Sequence, residues 1–213
     1  MKKKLVIFDL DGTLLNTSEG IVRCHQYAHT EMGKTPPSEA ALRQVIGAAL
    51  FDTYVTTFGF SETDARRAVD IYRDRYAEKG VHEAYVYPGI KALLQNLKSD
   101  GLSLMVATLK KEEFAKRMLA EFGIASYFTC IFGMDGKDKK RKVDLLLQCV
   151  RKADLDISDA VLVGDSFYDY QGATECGMDF VGVTYGFGFH DDVVSDAVLC
   201  EDAANVYQCI QKM

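Results

Sequence analysis

The sequence predicts an α/β fold, a parallel sheet between layers of helices with an α-helical domain inserted near one end. Three observations carry this. Continuous apolar runs recur at residues 5–8, 102–107, 128–132, 160–163 and, more weakly, 180–183, as expected of strands buried on both faces. Helical patterns stand between them, over residues 90–98, 112–122, 142–152 and 168–176, and strands alternating with helices build βαβ units. The rhythm breaks once. About ninety residues separate Asp9 from the run that begins at Leu102, far more than one crossover helix requires.

That long interval reads as helical throughout. Residues 19–32 place Ile21, Cys24, Ala28 and Met32 roughly on one face. Ser38 can cap a helix running to residue 46, and Ser61 one running to residue 76, with Asp64 completing a box-like pair. Pro36-Pro37, Gly47, Gly59 and Gly80 punctuate the segment. The expected organisation is therefore a helical cap domain over residues 16–85, inserted into a catalytic core formed by residues 1–15 and 86–213.

Composition narrows the function. The chain of 213 residues is 48% hydrophobic and 26% charged, with a formal net charge of -6. A nucleic-acid or anionic-membrane surface wants a basic stripe, and this balance argues against both. The basic start, Met1-Lys2-Lys3-Lys4, is followed by an apolar run that stops at Asp9, too short for a secretory leader or a membrane span. Six cysteines, Cys24, Cys130, Cys149, Cys176, Cys200 and Cys209, show neither a C-x-x-C pair nor a regular framework. They read as reduced buried thiols of a cytoplasmic protein.

The chemistry gathers where apolar runs end. Phe8-Asp9-Leu10-Asp11-Gly12-Thr13-Leu14 puts two carboxylates just beyond a strand, where open α/β sheets bind ligands. Alternation along an extended chain sends Asp9 and Asp11 to one side, Gly12 permits an abrupt turn, and the Thr13 hydroxyl can hold it. Val161-Leu162-Val163-Gly164-Asp165-Ser166 repeats the design, with Asp169 four residues after Asp165. Asp165 or Ser166 alone would serve as an ordinary helix cap and Asp169 as a first-turn acid. Taken with Asp9, they crowd one sheet edge with carboxylates, which is costly unless a cation neutralises them. Oxygen ligands without histidine indicate Mg²⁺.

Two further elements suit a phosphoryl group. Thr108 ends the run 102–107, so its hydroxyl and the next backbone N–H, that of Leu109, are placed to meet phosphate oxygens. The basic cluster Lys137, Lys139, Lys140, Arg141 and Lys142 precedes a helix. Most of it reads as a solvated charge run. One lysine is expected to enter the site and stabilise transferring charge; Lys142, opening the apolar-periodic helix, is best placed, with Lys139 and Lys140 in reserve. In the insert, Arg23, Arg43 and Lys79 are candidates for reading an anionic substrate, although each reads as solvent-exposed. His25 and His29, one turn apart, are expected on a partly exposed helix face instead of in a metal site.

In this order, D-x-D-G-T after a strand, a strand-terminal Thr, a Lys opening a helix and G-D-x-x-x-D resemble the haloacid dehalogenase superfamily, and the resemblance spans essentially the whole chain. The insert resembles that superfamily's helical (type C1) cap. Gly20-Ile21, Val45-Ile46-Gly47, residues 72–76 and Tyr87-Pro88-Gly89-Ile90 are similar to the phosphoglycolate phosphatase-like branch, as is Asp135-Gly136 followed by a lysine and K-x-x-L-L. The resemblance implies a Rossmann-like three-layer core, with Asp9 as nucleophile and Asp11 as general acid/base. It implies Mg²⁺ held by Asp9, the Asp11 carbonyl and Asp165, with Asp169 in support. Thr108 and Lys142 would bind the transferring phosphoryl group, beside Gly12, Thr13 and Leu109. Relatives usually carry Ser or Asn where this chain has Leu109, so one side-chain phosphate contact is expected to be missing, and the usual K-P dipeptide is absent at Lys142.

The expected activity is Mg²⁺-dependent hydrolysis of a small phosphorylated metabolite, phosphoglycolate-like, by a monomer or homodimer. Nucleotidase, pyrophosphatase and β-phosphoglucomutase-like transfer stay open within the same fold, although Leu14 to Gly20 looks hydrolase-like. From another class, a receiver-like signalling module also phosphorylates an Asp beside Mg²⁺, but on one compact domain without so large an insert.

Overall fold

The structure, a computed structural model, describes residues 3–135, 140–189 and 197–213. Strand β1 (Leu5–Phe8) leads through the short β2 (Leu15–Asn16) into helices α1 (Ser18–Glu31), α2 (Glu39–Arg43) and α3 (Leu50–Asp52), the last continuing as one wide turn over Thr53–Thr57. Helix α4 (Glu62–Glu78) returns the chain to β3 (Tyr85–Val86), and α5 (Ile90–Ser99), β4 (Ser103–Lys111), α6 (Glu112–Glu121) and β5 (Cys130–Met134) follow. The rest is α7 (Lys142–Ala153), β6 (Ala160–Gly164), α8 (Phe167–Cys176), β7 (Asp179–Val183), β8 (Val198–Cys200) and α9 (Ala203–Ile210). Six strands form one parallel sheet in the order β5-β4-β1-β6-β7-β8.

Both faces of the sheet are covered, which is why its strands carry unbroken apolar runs. Successive side chains alternate in direction. Val6, Phe8, Val106 and Val163 therefore pack against α5, α6 and α9 in one core, while Leu5, Ile7, Met105 and Leu162 pack against α7 and α8 in the other. β1 lies between β4 and β6, with Phe8 in register with Val106 and Val163. The chain thus delivers Asp9, Thr108 and Asp165 to one edge of the sheet from three adjacent strands.

The helical insert leaves and rejoins the core through the antiparallel pair β2 and β3, Leu15 opposite Val86. Ser61 caps α4, its hydroxyl accepting from the Asp64 N–H at 3.1 Å, as its spacing predicts. The helix expected from Ser38 stops at Arg43, because residues 44–47 turn and Gly47 takes φ +93°. Several elements differ from expectation. β4 runs on to Lys111 with a register shift after Ala107, β5 lies two residues later, and β2, β3, β8 and α9 were not anticipated. β8 has three residues, and Val198 and Leu199 are exposed at 49% and 46%, so it carries no burial signal.

All six cysteines are free thiols, but only Cys24, Cys149 and Cys200 are buried; the others are half-buried. Among the described residues no helix is long and apolar enough to cross a membrane.

Candidate active site

The loop after β1 is held by its own backbone. The Asp9 N–H donates to the Val163 carbonyl at 2.9 Å, and the N–H groups of Leu14 and Leu15 both return to the Leu10 carbonyl at 3.0 Å. Gly12 has φ +85°, and a Cβ there would lie 2.0 Å from Asp165 Oδ2. Glycine is required twice over, for the backbone conformation and for the approach of the second acidic loop. A Cβ at Gly186 would likewise stand 2.3 Å from Asp165 Oδ2. Asp165 is thus enclosed, its Oδ1 accepting from Thr13 Oγ1 at 3.1 Å and its Oδ2 from the Phe187 N–H at 2.7 Å.

Asp9, Asp165 and Asp169 each offer a carboxylate oxygen within 4.8 Å of the others, and all three are buried. Asp169 also closes the N-terminus of α8. Its Oδ2 accepts from Ser166 Oγ at 2.6 Å and from the Ser166 N–H at 3.1 Å. The plain capping role of Asp169 and its place in the acidic cluster therefore coexist, because its second oxygen, Oδ1, turns inward to Lys142.

Lys142, first residue of α7, reaches 2.6 Å from Asp9 Oδ1, 2.6 Å from the Ala107 carbonyl and 2.6 Å from Asp169 Oδ1. Its stem passes Gly172 of α8, where a Cβ would stand 2.7 Å from Lys142 Cγ. Of the reserve lysines, Lys140 lines a wider cleft outside this cluster and Lys139 lies outside the described residues. Burial alone would lower the Lys142 pKa, but the Asp169 and Asp9 carboxylates hold it well above the ordinary lysine value.

One lysine does not suffice for three acids. Burial, together with the Asp169 and Asp11 charges and against Lys142, pushes the Asp9 carboxyl up to about 7. Burial and its neighbours Asp169 and Asp9 drive Asp165 well above the usual range, against the Phe187 N–H and the Thr13 hydroxyl. With all three carboxylates ionised the cluster would carry two negative charges beyond what Lys142 balances, and the raised Asp9 and Asp165 values are the response to that crowding.

The Asp11 carboxylate stands apart from this trio. Both its oxygens accept from Lys110 Nζ, at 2.8 and 2.9 Å. Lys110 was not among the sequence candidates. Its target lies 99 residues back along the chain, and only the bulge after Ala107 aims it there. Thr108 is 1% exposed, and its hydroxyl accepts from the Lys110 N–H at 3.2 Å. Asp9, Asp11, Thr108, Leu109 and Lys110 line one chamber of about 80 Å³ with His25, Tyr72, Arg73 and Tyr76 of the insert. A cleft of about 1030 Å³ adjoins it, and Leu109, Val45, Ala48, Ala49 and Thr53 line both.

Cap candidates fare differently. Arg23 pairs with Glu19 and Glu83 and Arg43 with Glu39, and neither lines the chamber, nor does Lys79. The histidine expectation is corrected. His25 and His29 are 2% and 3% exposed, packed among Tyr54, Phe58, Phe60 and Tyr72, because aromatic residues from the turn after α3 and from α4 close over α1.

A family model for haloacid dehalogenase-like hydrolases matches residues 6–183. The chain belongs to the haloacid dehalogenase-like hydrolase family. A 5'-nucleotidase of Pseudomonas aeruginosa is 34% identical over 97% of this chain and 95% of its own length. A phosphoglycolate phosphatase of Pseudomonas putida is 31% identical over 93% of the chain and 76% of its own. The crystal structure of a predicted phosphatase from Clostridium acetobutylicum superposes with a TM-score of 0.94 at 32% identity, each chain fully covered. With such relatives along its whole length, this hydrolase is a phosphoric monoester hydrolase, and its sheet with flanking helices is the Rossmann-like core of the family.

Proposed function

We propose that this chain hydrolyses a small phosphomonoester through an aspartyl-phosphate on Asp9, with Mg²⁺ as cofactor. The observation that carries the reading is the shared chamber. Asp9 and Asp11, the one beside a fixed cation and the acidic trio, the other on the insert side, face the same small space. Asp9 would attack phosphorus while Lys142 and the Thr108 hydroxyl neutralise charge gathering on the phosphoryl oxygens. Asp11 would give its proton to the leaving oxygen, then accept one from the water that attacks the aspartyl-phosphate at phosphorus. Inorganic phosphate leaves and both carboxylates return to their starting state.

Mg²⁺ suits the donor set. Three carboxylates less one lysine leave two negative charges, which one divalent cation balances, and hard oxygen ligands favour magnesium. Asp9, Asp165 and Asp169 would hold it, with the backbone carbonyl of Asp11; Gly12 and Gly186 lack the Cβ that would displace the Asp165 carboxylate from this position. When bound, the ion supplies charge neutralisation for the phosphoryl group.

The chamber of about 80 Å³ favours a phosphoryl group with a leaving group of a few atoms, glycolate among them, since about 10–15 Å³ of such volume takes one water. One observation favours a second reading, a nucleoside monophosphate: the adjoining cleft of about 1030 Å³ would take a nucleoside, and the 34%-identical relative is named a 5'-nucleotidase. Phosphate release from a metabolite panel with Mg²⁺, run beside Asp9→Asn, tests the mechanism and the choice together. Turnover by the wild type is expected with a loss of at least ~10³-fold in the variant, as when a covalent nucleophile is removed. Near-equal rates for the two proteins would refute the nucleophile.

A further inference from the structure

Lys110 sits where β4 leaves regular pairing. The register shift after Ala107 carries Thr108, Leu109 and Lys110 over Gly133 of β5, where a Cβ would lie 2.6 Å from the Lys110 carbonyl oxygen and 2.7 Å from Glu112 Cα. The Lys110 N–H donates to Thr108 Oγ1 at 3.2 Å, which pins the bulge. From there the side chain, 7% exposed, crosses to the first acidic loop.

An ammonium group has three donors. Two go to the oxygens of Asp11, at 2.8 and 2.9 Å. The remaining side of Lys110 faces the ring of Tyr76, with Nζ 4.5 Å from the ring centroid, a cation–π distance. Tyr76 belongs to α4 of the insert, whereas Lys110 and Asp11 belong to the core. Its ring is fixed in turn: the hydroxyl donates to Met118 Sδ at 3.4 Å, and the ring stacks on Tyr72 at 5.7 Å. The grip on Asp11 is therefore completed by the insert, and it draws that carboxylate away from the trio of Asp9, Asp165 and Asp169.

Resting on the reading that Asp11 is the acid/base, we propose that Lys110 is its positioning residue. Lys110 orients the Asp11 carboxylate toward the chamber, and the seating of Tyr76 makes that orientation depend on the position of α4. The step most exposed to its loss is hydrolysis of the aspartyl-phosphate. There the Asp11 carboxylate takes a proton from water, the water oxygen bonds to phosphorus, and the bond from phosphorus to the Asp9 oxygen breaks.

The test compares wild type, Lys110→Met, Lys110→Arg and Tyr76→Leu with para-nitrophenyl phosphate and Mg²⁺, in the steady state and in the first turnover. An aryl leaving group departs without a proton, so mispositioning Asp11 should spare the first half-reaction and slow the second. K110M is expected to lower kcat on the order of 10²-fold, the scale of general acid/base catalysis. Its KM should stay within about 3-fold, with an early burst of about one nitrophenolate per enzyme. K110R should recover part of kcat, and Y76L should show a smaller loss with the same burst. Should K110M not fold, as judged by its thermal transition, K110R and Y76L carry the same prediction. A raised KM with unchanged kcat, a loss of kcat without a burst, or unchanged constants overturns the positioning role while leaving the phosphatase reading intact. A wild type without turnover overturns both.

Discussion

Two glycines make room for the acidic cluster and its lysine. A Cβ at Gly12 would lie 2.0 Å from Asp165 Oδ2, and one at Gly172 would meet the stem of Lys142. Gly172 lies in α8 and tolerates a side chain conformationally, but a Cβ there would stand 2.7 Å from Lys142 Cγ and 2.8 Å from its Cβ. Gly172→Ala should displace the ammonium from Asp9 and cost about 10–10²-fold in kcat, the penalty of a misplacement near 1 Å. Phosphate release by the purified variant measures it, and a rate equal to wild type would show that Lys142 can shift without loss. At this scale the sequence was legible where a residue's partner is local or its chain position marks a strand end: Asp9, Thr108, Asp165 and the Ser166–Asp169 box. Lys110 was not legible, since nothing near residue 110 announces a partner at residue 11. The same absence of local signal left three lysines open where the structure brings Lys142 to Asp9.

At the scale of elements, α1 illustrates how a polar residue reads differently from outside and inside. A helix with His25 and His29 one turn apart reads as half-exposed, yet both rings sit among aromatic side chains. Burial, with His29 nearby, lowers the His25 pKa to about 3, so the folded protein holds it neutral. A group with a depressed folded pKa contributes stability that is present above its unfolded pKa, here 6.5, and lost as pH falls toward 3. That slope is at most ~1.4 kcal/mol per pH unit. Replacing His25 with Leu should remove it, which urea unfolding at pH 7 and pH 5 measures; parallel stability losses in both proteins would exclude His25 as the source. The closing aromatics come from residues 54–60 and from α4, and no periodicity within α1 reports them.

For the whole molecule, the acidic cluster opposes that slope. Asp9 keeps its proton up to about 7, against 3.8 ordinarily, so the stability it contributes is full below pH 3.8 and lost as pH rises through 7. Between pH 4 and 6.5 the raised Asp9 and Asp165 carboxyls oppose the histidine slope in the metal-free protein; Asp9→Asn should move the net slope toward that of the histidine. Mg²⁺ should raise the melting temperature at pH 8 more than at pH 5, where Asp9 is protonated. Saturation to about 100 times the dissociation constant corresponds to about 2.7 kcal/mol. Calorimetry with and without Mg²⁺ measures both, and Asp165→Asn should abolish most of the shift. An equal shift in wild type and D165N would place the ion elsewhere.

By itself the sequence determined the layered α/β class, the long helical interval after the first strand and the strand-end acids. Each follows from local periodicity and from where an apolar run stops. Tertiary structure alone decided that Lys110 grips Asp11, that one lysine among several reaches Asp9, and that two histidines are buried. Those outcomes depend on which distant surfaces the folded chain brings into contact, and that information is spread over many weak contacts with no local pattern.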